Sequence, residues 1–306
     1  MTARAGKFPR KFTKTSGFGS STRMNHDASE YYHSRMNPGV PGNQEESIPP
    51  SLPLPLSCEN KIFQSSSEQM QELPDGCLHL VVTSPPYNSS KTYNSDLSLS
   101  EYLAFLQRVF CESYRVLAYG GRACINVANL GRKPYIPLSA YISQLMIEIG
   151  FQMRGEIIWN KGAGAGISMA WGSWRSASNP VLRDTHEYIL IFSKGDFQRK
   201  KFPGAVSTIS AEQFMEWTKS VWSIVPESAQ KVGHPAPFPV ELPYRLIQLY
   251  TYKGDTVLDP FMGSGSTALA CLKSGRKYIG YELDSVYTRL AEERIAAWHR
   301  EHSETG

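Results

Sequence analysis

Between Asp255 and Leu283 the chain reads DTVLDPFMGSGSTALACLKSGRKYIGYEL. A short apolar run, TVLD, meets a glycine turn, a helix-compatible segment follows, and a second apolar run, KYIGYEL, comes after it. A strand, a tight turn, a helix and a strand in series commit a chain to parallel pairing. The same alternation extends upstream to Asn60: KIF and CLHLVV read as strands, with SSEQMQELP between them as a helix. The segment from Ser98 reads as an amphipathic helix with Leu103, Leu106, Phe110 and Leu117 on one face, capped by Ser98 or Ser100 and stopped by Gly120 and Gly121. RACINVA, GEIIW and HEYILIF are further strands, and PLSAYISQLMIEIG, PVELPYRLIQLYT and SVYTRLAEERIAAWHR further helices. The expected class is α/β, with a mainly parallel sheet and helices on both faces.

A glycine turn between a strand end and a helix is a standard place for a nucleotide-like ligand. Gly263 and Gly265 let backbone approach such a ligand without a Cβ in the way. Glu282, at the end of the next strand, can accept hydrogen bonds from both ribose hydroxyls. Gly263, Gly265 and Ala268 also satisfy a dinucleotide fingerprint, which alone is a weak signal. Only one helix follows Glu282 in this sequence, so the further strands of a dinucleotide half are not expected. No lysine follows the glycines, which argues against a phosphate-gripping loop. An adenosyl ligand without phosphates fits better. S-adenosyl-L-methionine is one, its charge lying on a sulfonium and an amino-acid end.

The second informative stretch is TSPPYN, Thr83 to Asn88, directly after CLHLVV. Each proline fixes its own φ and keeps its predecessor out of the α region, so Ser84 and Pro85 are held extended. Neither Pro85 nor Pro86 has an N–H to continue a ladder. The loop is stiff and offers two acceptors, the Ser84 hydroxyl and the Pro85 carbonyl, while Tyr87 adds a flat ring. The exocyclic amine of a nucleobase is a poor nucleophile because its lone pair is delocalised into the ring. Acceptors on its two hydrogens favour a pyramidal nitrogen whose lone pair can meet an electrophilic methyl. Positioning then matters more than acid catalysis. A base in a duplex must be flipped out to reach such a site.

TSPPY and DPFMGSGST together resemble the catalytic and cofactor motifs of the amino-methylating DNA methyltransferases that use S-adenosyl-L-methionine. The catalytic motif comes first, the order of the permuted beta group. The resemblance covers about Asn60 to the C-terminus. It implies a Rossmann-like fold with a seven-stranded, mainly parallel sheet and a methyltransferase domain over 58–306. A target-recognition region would lie at about 162–233. Ser at the first motif position implies N4 of cytosine in double-stranded DNA as the target, with N6 of adenine the alternative and a non-catalytic DNA-binding protein a further one. Ser84, Pro85, Pro86 and Tyr87 would be catalytic. Asp259, Phe261, Gly263, Gly265, Thr267, Glu282, His234 and Phe238 would hold the cofactor, Phe238 as an apolar wall. Trp171, Trp174, Arg175 and Arg183 would face DNA, since arginines read guanine edges and aromatics stack or wedge; the tryptophans could equally cover the sheet's end. QSSSEQ, after KIF, departs from the family's Gly-Asp near the adenine. The resemblance also implies a cytoplasmic, prokaryotic protein and a cognate restriction endonuclease acting on the same site, although this chain shows no nuclease motif.

Composition is compatible with this. The net charge of +4 over 306 residues permits contact with nucleic acid without requiring it. Six basic residues and no acid precede Asp27. Residues 1–57, rich in Pro, Ser and Gly, read as a disordered arm or linker, a phosphate-neutralising arm or a transit segment. The five cysteines form no CxxC pair, so neither a disulfide framework nor a zinc site is expected. No Pro-Cys pair exists for C5 methylation of cytosine. His79 reads as a packed histidine, and His186 and Glu187 as structural residues, with no metal expected.

Overall fold

The computed structural model describes residues 13–14, 26–27, 52–86, 97–131, 133–162, 172–227 and 238–303. The chain divides into two compact units, Met1–Ser47 and Ile48–Gly306. In the first, β1 (Thr13–Lys14) pairs parallel with β2 (His26–Asp27).

The second unit holds one sheet. Its strands are β3 (Lys61–Phe63), β4 (Leu78–Thr83), β5 (Leu117–Val127), β6 (Phe151–Asn160), β7 (His186–Lys194), β8 (Val221–Ser223), β9 (Thr256–Asp259) and β10 (Lys277–Tyr281). The helices are α1 (Leu99–Val116), α2 (Leu138–Ile149), α3 (Ala211–Trp217), α4 (Glu241–Tyr250), α5 (Ser266–Ser274) and α6 (Ser285–Ser303). The strand order is β3-β10-β9-β4-β5-β7-β6-β8. Pairing is parallel from β3 to β5 and between β6 and β8, and antiparallel on both sides of β7. The sheet thus has eight strands rather than seven; the extra one is β8, a three-residue edge strand.

Strand alternation splits the core between the two faces. Val81, Ala123, Ile125, Leu190, Phe192 and Leu258 join α1 and α2 in one apolar cluster. Leu80, Val82, Cys124, Ile189, Ile191 and Val257 join α4, α5 and α6 in the other. Successive side chains on a pleated strand point to opposite faces, which is why near-continuous apolar runs build both layers.

Three local expectations are corrected. SSEQMQELP forms turns, not a helix; Ser66 and Glu68 bond locally instead, the Ser66 hydroxyl accepting from Glu68 N at 3.2 Å. Helix α1 opens on Ser98 with a capping box, and its buried face is Tyr102, Phe105, Leu106, Val109 and Phe110, with Leu103 off its centre. It ends at Val116, so Gly120 and Gly121 lie inside β5 and do not stop the helix. They form a bulge: Leu78 pairs with Leu117, yet Leu80 pairs with Arg122. Gly120, at φ +77°, has no room for a Cβ, which would sit 2.8 Å from the Gln198 carbonyl oxygen. Among the described residues no helix is long and apolar enough to cross a membrane.

Candidate active site

From β4 the chain order runs outward through β5, and from β9 it runs the other way through β10 to β3. The reversal falls between β9 and β4. In an open α/β sheet, a crevice opens at the carboxyl ends of the strands at such a point. The glycine loop leaves β9 there, and Ser84-Pro85-Pro86 leaves β4 beside it.

The backbone ladder between these strands ends at Val81 and Leu258. Beyond it, side chains make the link. Thr83 Oγ1 donates to Asp259 Oδ1 at 2.7 Å, Thr267 Oγ1 donates to Asp259 Oδ2 at 2.6 Å, and Phe261 N donates to Asp259 Oδ1 at 3.1 Å. Asp259, Thr83 and Thr267 are all 0% exposed. Asp259 and Thr267 therefore lie beneath the two loops, bonded to each other. Burial pushes the Asp259 carboxyl up to about 7, and its three hydrogen bonds oppose that shift.

The glycine loop is held from two sides. Gly263 N donates to Glu282 Oε2 at 2.8 Å, and Asp284 N donates to Glu282 Oε1 at 3.0 Å. From α6, Arg294 Nη1 donates to the Ser264 carbonyl at 2.6 Å and to Ser264 Oγ at 3.0 Å. Gly265 has φ +81°, and a Cβ there would meet Ala291 Cβ of α6 at 3.0 Å. Its lack of a side chain makes room for the close approach of α6.

The residues fit an adenosyl ligand. Burial raises the Glu282 carboxyl above its usual range, while the N–H groups of Asp284 and Gly263 pull it down. Each oxygen takes one backbone donor and keeps lone-pair capacity for a diol. Ser266 Oγ, buried at the start of α5, has no protein partner among the described residues. Arg294, the basic group bonded to this loop, is committed to Ser264, which leaves a poor cradle for phosphate. Phe261 lies against Phe105 with ring centroids 5.9 Å apart, and Phe238 packs on the second apolar cluster.

Beside Ser84 the tips of β5, β6 and β7 form a polar cluster. Asn126 Nδ2 donates to Glu187 Oε2 at 2.6 Å and lies 3.4 Å from Ser84 Oγ. Lys161 pairs with the other Glu187 oxygen. Asn126 is 3% exposed, and its Oδ1 has no partner among the described residues. No local motif marks Asn126, and Glu187 reads from sequence as a structural residue opening a strand. The available signal was a polar residue inside the apolar run ACINV, at the end of the sheet where Ser84 sits.

Other expected site residues are more scattered. Tyr87, His234 and Trp171 lie outside the described residues. Trp174 is 68% exposed, so it does not cover the sheet's end. Arg175 and Arg183 are exposed, Arg175 at φ +53°. All three belong to the β6–β7 connection, which rises from the crevice end and is closed at its base by Lys161 N donating to the Thr185 carbonyl at 2.9 Å. His79 is a packed histidine: its Nδ1 accepts from Thr256 N at 3.0 Å, and burial lowers its pKa to about 4.

Comparison with known proteins agrees with this geometry. The family model described as DNA methylase matches residues 78–293. The Type II methyltransferase M.MjaI of Methanocaldococcus jannaschii is 31% identical over 80% of this chain and 93% of its own length. M.MthZI of Methanothermobacter thermautotrophicus, also a Type II methyltransferase, is 33% identical over 78% and 77%. Among solved structures, a DNA modification methylase of Thermus thermophilus complexed with S-adenosyl-L-methionine superposes with a TM-score of 0.63 at 31% identity, covering 77% of this chain and 94% of that one.

Proposed function

The chain belongs to the DNA methylase family that spans N6 and N4 amine methylation, and from that premise we propose that it methylates N4 of a flipped cytosine in double-stranded DNA. The cofactor is S-adenosyl-L-methionine, which supplies, when bound, a methyl group on a sulfonium whose leaving group is a neutral thioether.

In this reading Ser84 Oγ accepts one amine hydrogen and the Pro85 carbonyl the other, which turns the nitrogen lone pair out of the ring plane. Pro86 keeps the loop from relaxing, and Tyr87 stacks on the base. Asn126 holds Ser84: its N–H faces Ser84 Oγ and leaves that oxygen a lone pair for the amine. Glu187, itself paired with Lys161, fixes the Asn126 amide. Glu282 takes the ribose hydroxyls, the Gly263–Gly265 backbone lies along the adenosyl group, and Phe261, Phe238 and His234 wall it. Asp259 and Thr267 support these loops from below.

Target reading falls to the β6–β7 connection, residues 162–185, with Trp171, Trp174, Arg175 and Arg183. Within the broader 162–233 region, β7 and β8 are sheet strands. Asp196, Gln198, Arg199, Lys200 and Phe202 instead line a cleft with His79 and Lys253 at the opposite end of the sheet, away from the crevice. The arm 1–57 adds phosphate contacts, and a companion endonuclease would cut the same site in unmethylated DNA.

The observation that carries the reading is the convergence of Ser84 and the glycine loop on one crevice, joined through Thr83 and Asp259. The test is incubation with unmethylated bacterial DNA and methyl-tritiated cofactor, followed by digestion to nucleosides. Label in N4-methyl-2′-deoxycytidine supports it. Label in N6-methyl-2′-deoxyadenosine keeps the methylase and overturns the choice of base. No label on any DNA, with cofactor still bound, points to another substrate or to a non-catalytic DNA-binding protein.

A further inference from the structure

We propose that Asp259 is a positioning residue that sets the register of the amine-accepting loop against the cofactor loop, so that ligand bound at one loop orders the other. This rests on the reading of Ser84 as the amine acceptor.

The geometry is specific. At the crevice the two strands part, and their ladder stops at Val81 and Leu258. A crevice needs that parting, but methyl transfer needs the acceptor and the methyl donor held to within about 0.5 Å. One carboxylate bridges the gap. Its Oδ1 holds Thr83, the residue before Ser84, and also Phe261 N in the glycine loop. Its Oδ2 holds Thr267 in the first turn of α5. All the side chains involved are fully buried, so no water competes for these bonds. No cation is hydrogen-bonded to Asp259 among the described residues, and its described hydrogen-bond partners are the three loop donors. A displacement of the glycine loop therefore moves the carboxylate that holds Thr83, and Ser84 moves with it.

The link can be cut at one arm without emptying the site. Thr83→Val keeps the shape and removes the hydroxyl; Thr83→Ser keeps the hydroxyl. Asp259→Ala is the poorer tool, because it strands three buried donors and endangers folding. The first readout is hydrogen exchange over residues 80–86 and 261–268, with and without S-adenosyl-L-methionine. In the parent, cofactor should protect both segments. In Thr83→Val, protection should stay at 261–268 and be lost at 80–86, and Thr83→Ser should restore it. The second readout is kinetic: Thr83→Val should lower the single-turnover methylation rate roughly 10- to 100-fold, with cofactor affinity within about twofold of the parent.

Cofactor protection of both segments in Thr83→Val would overturn the proposal. So would a rate loss matched by an equal loss of cofactor affinity, since the bond would then only support the cofactor site. Failure of Thr83→Ser to rescue, in a variant melting like the parent, would overturn it as well. An inactive parent would instead defeat the methyl-transfer reading. The exchange experiment would still decide whether the two loops are linked.

Discussion

Strand β9 carries a buried aspartate at each end, and the two are stabilised by opposite means. Asp255, just before the strand, is 3% exposed and faces a cation. Arg199 Nη2 donates to its Oδ1 at 2.8 Å, Arg199 Nη1 to Oδ2, and Tyr252 N to Oδ2 at 2.7 Å. His79 lies 3.6 Å away, its imidazole kept neutral by burial. Asp259, at the other end, is held by two threonine hydroxyls and one backbone N–H. An ion pair fixes charge and geometry together and is costly to break. Hydroxyl donors can rotate and re-form, and they leave the carboxyl free to titrate. The first arrangement staples the closed end of the sheet; the second suits the end that must open around a ligand.

That contrast can be broken in several ways. Arg199→Ala strands the buried Asp255 and should cost about 3–5 kcal/mol in urea unfolding, with the methylation rate per folded molecule unchanged. A fall in that rate would mean the two ends are not independent. Ser84→Ala should do the reverse: turnover falls about 100-fold, near 2.7 kcal/mol of transition-state stabilisation, while DNA binding and melting hold. Normal turnover in that variant would remove Ser84 from the chemistry.

The titration of Asp259 gives a third test. Its folded-state pKa lies above the ordinary 3.8, at about 7. Between these values the folded state binds the extra proton, so the contribution to stability is full below about 3.8 and is lost as pH rises through about 7. Asp259→Asn carries no such charge. Its unfolding free energy should gain on the parent by about 2 kcal/mol over roughly two pH units below neutrality, measured by denaturant titration at each pH. A gap that stays constant with pH would show that the Asp259 carboxyl does not titrate in this range. The smallest effect belongs to Gly265→Ala, about 1 kcal/mol of stability for a left-handed alanine, with α6 pushed from Ala291. Cofactor affinity should weaken with it; unaltered melting and affinity would show that the loop tolerates a Cβ there.

Much of the fold was legible because apolar runs and turn residues are local signals. The strand–turn–helix–strand unit from Thr256 to Tyr281, the cap at Ser98 and the burial of His79 were read from neighbouring residues alone. Misreadings came where distant parts decide. SSEQMQELP has helical composition, but Ser66 and Glu68 satisfy one another in a turn. Gly120 and Gly121 look like a helix stop, yet Gly120 makes room for Gln198 and Arg199, which arrive from beyond a later strand. No local pattern announces that Ala291 of α6 packs against Gly265.

What the sequence determined by itself was the chemistry on offer: a stiff loop with two acceptors at Ser84 and Pro85, a glycine turn after TVLD, and an acid at the end of KYIGYEL. Chain-local stereochemistry suffices for each, since proline fixes φ and glycine frees it wherever they stand. Only the tertiary structure decided that these meet at one crevice, that Asn126 and Glu187 stand behind Ser84, and that Asp259 holds the loops from beneath. Those outcomes depend on strand order. Thr83 and Asp259 lie 176 positions apart in the chain, and only the reversal between β4 and β9 makes them neighbours.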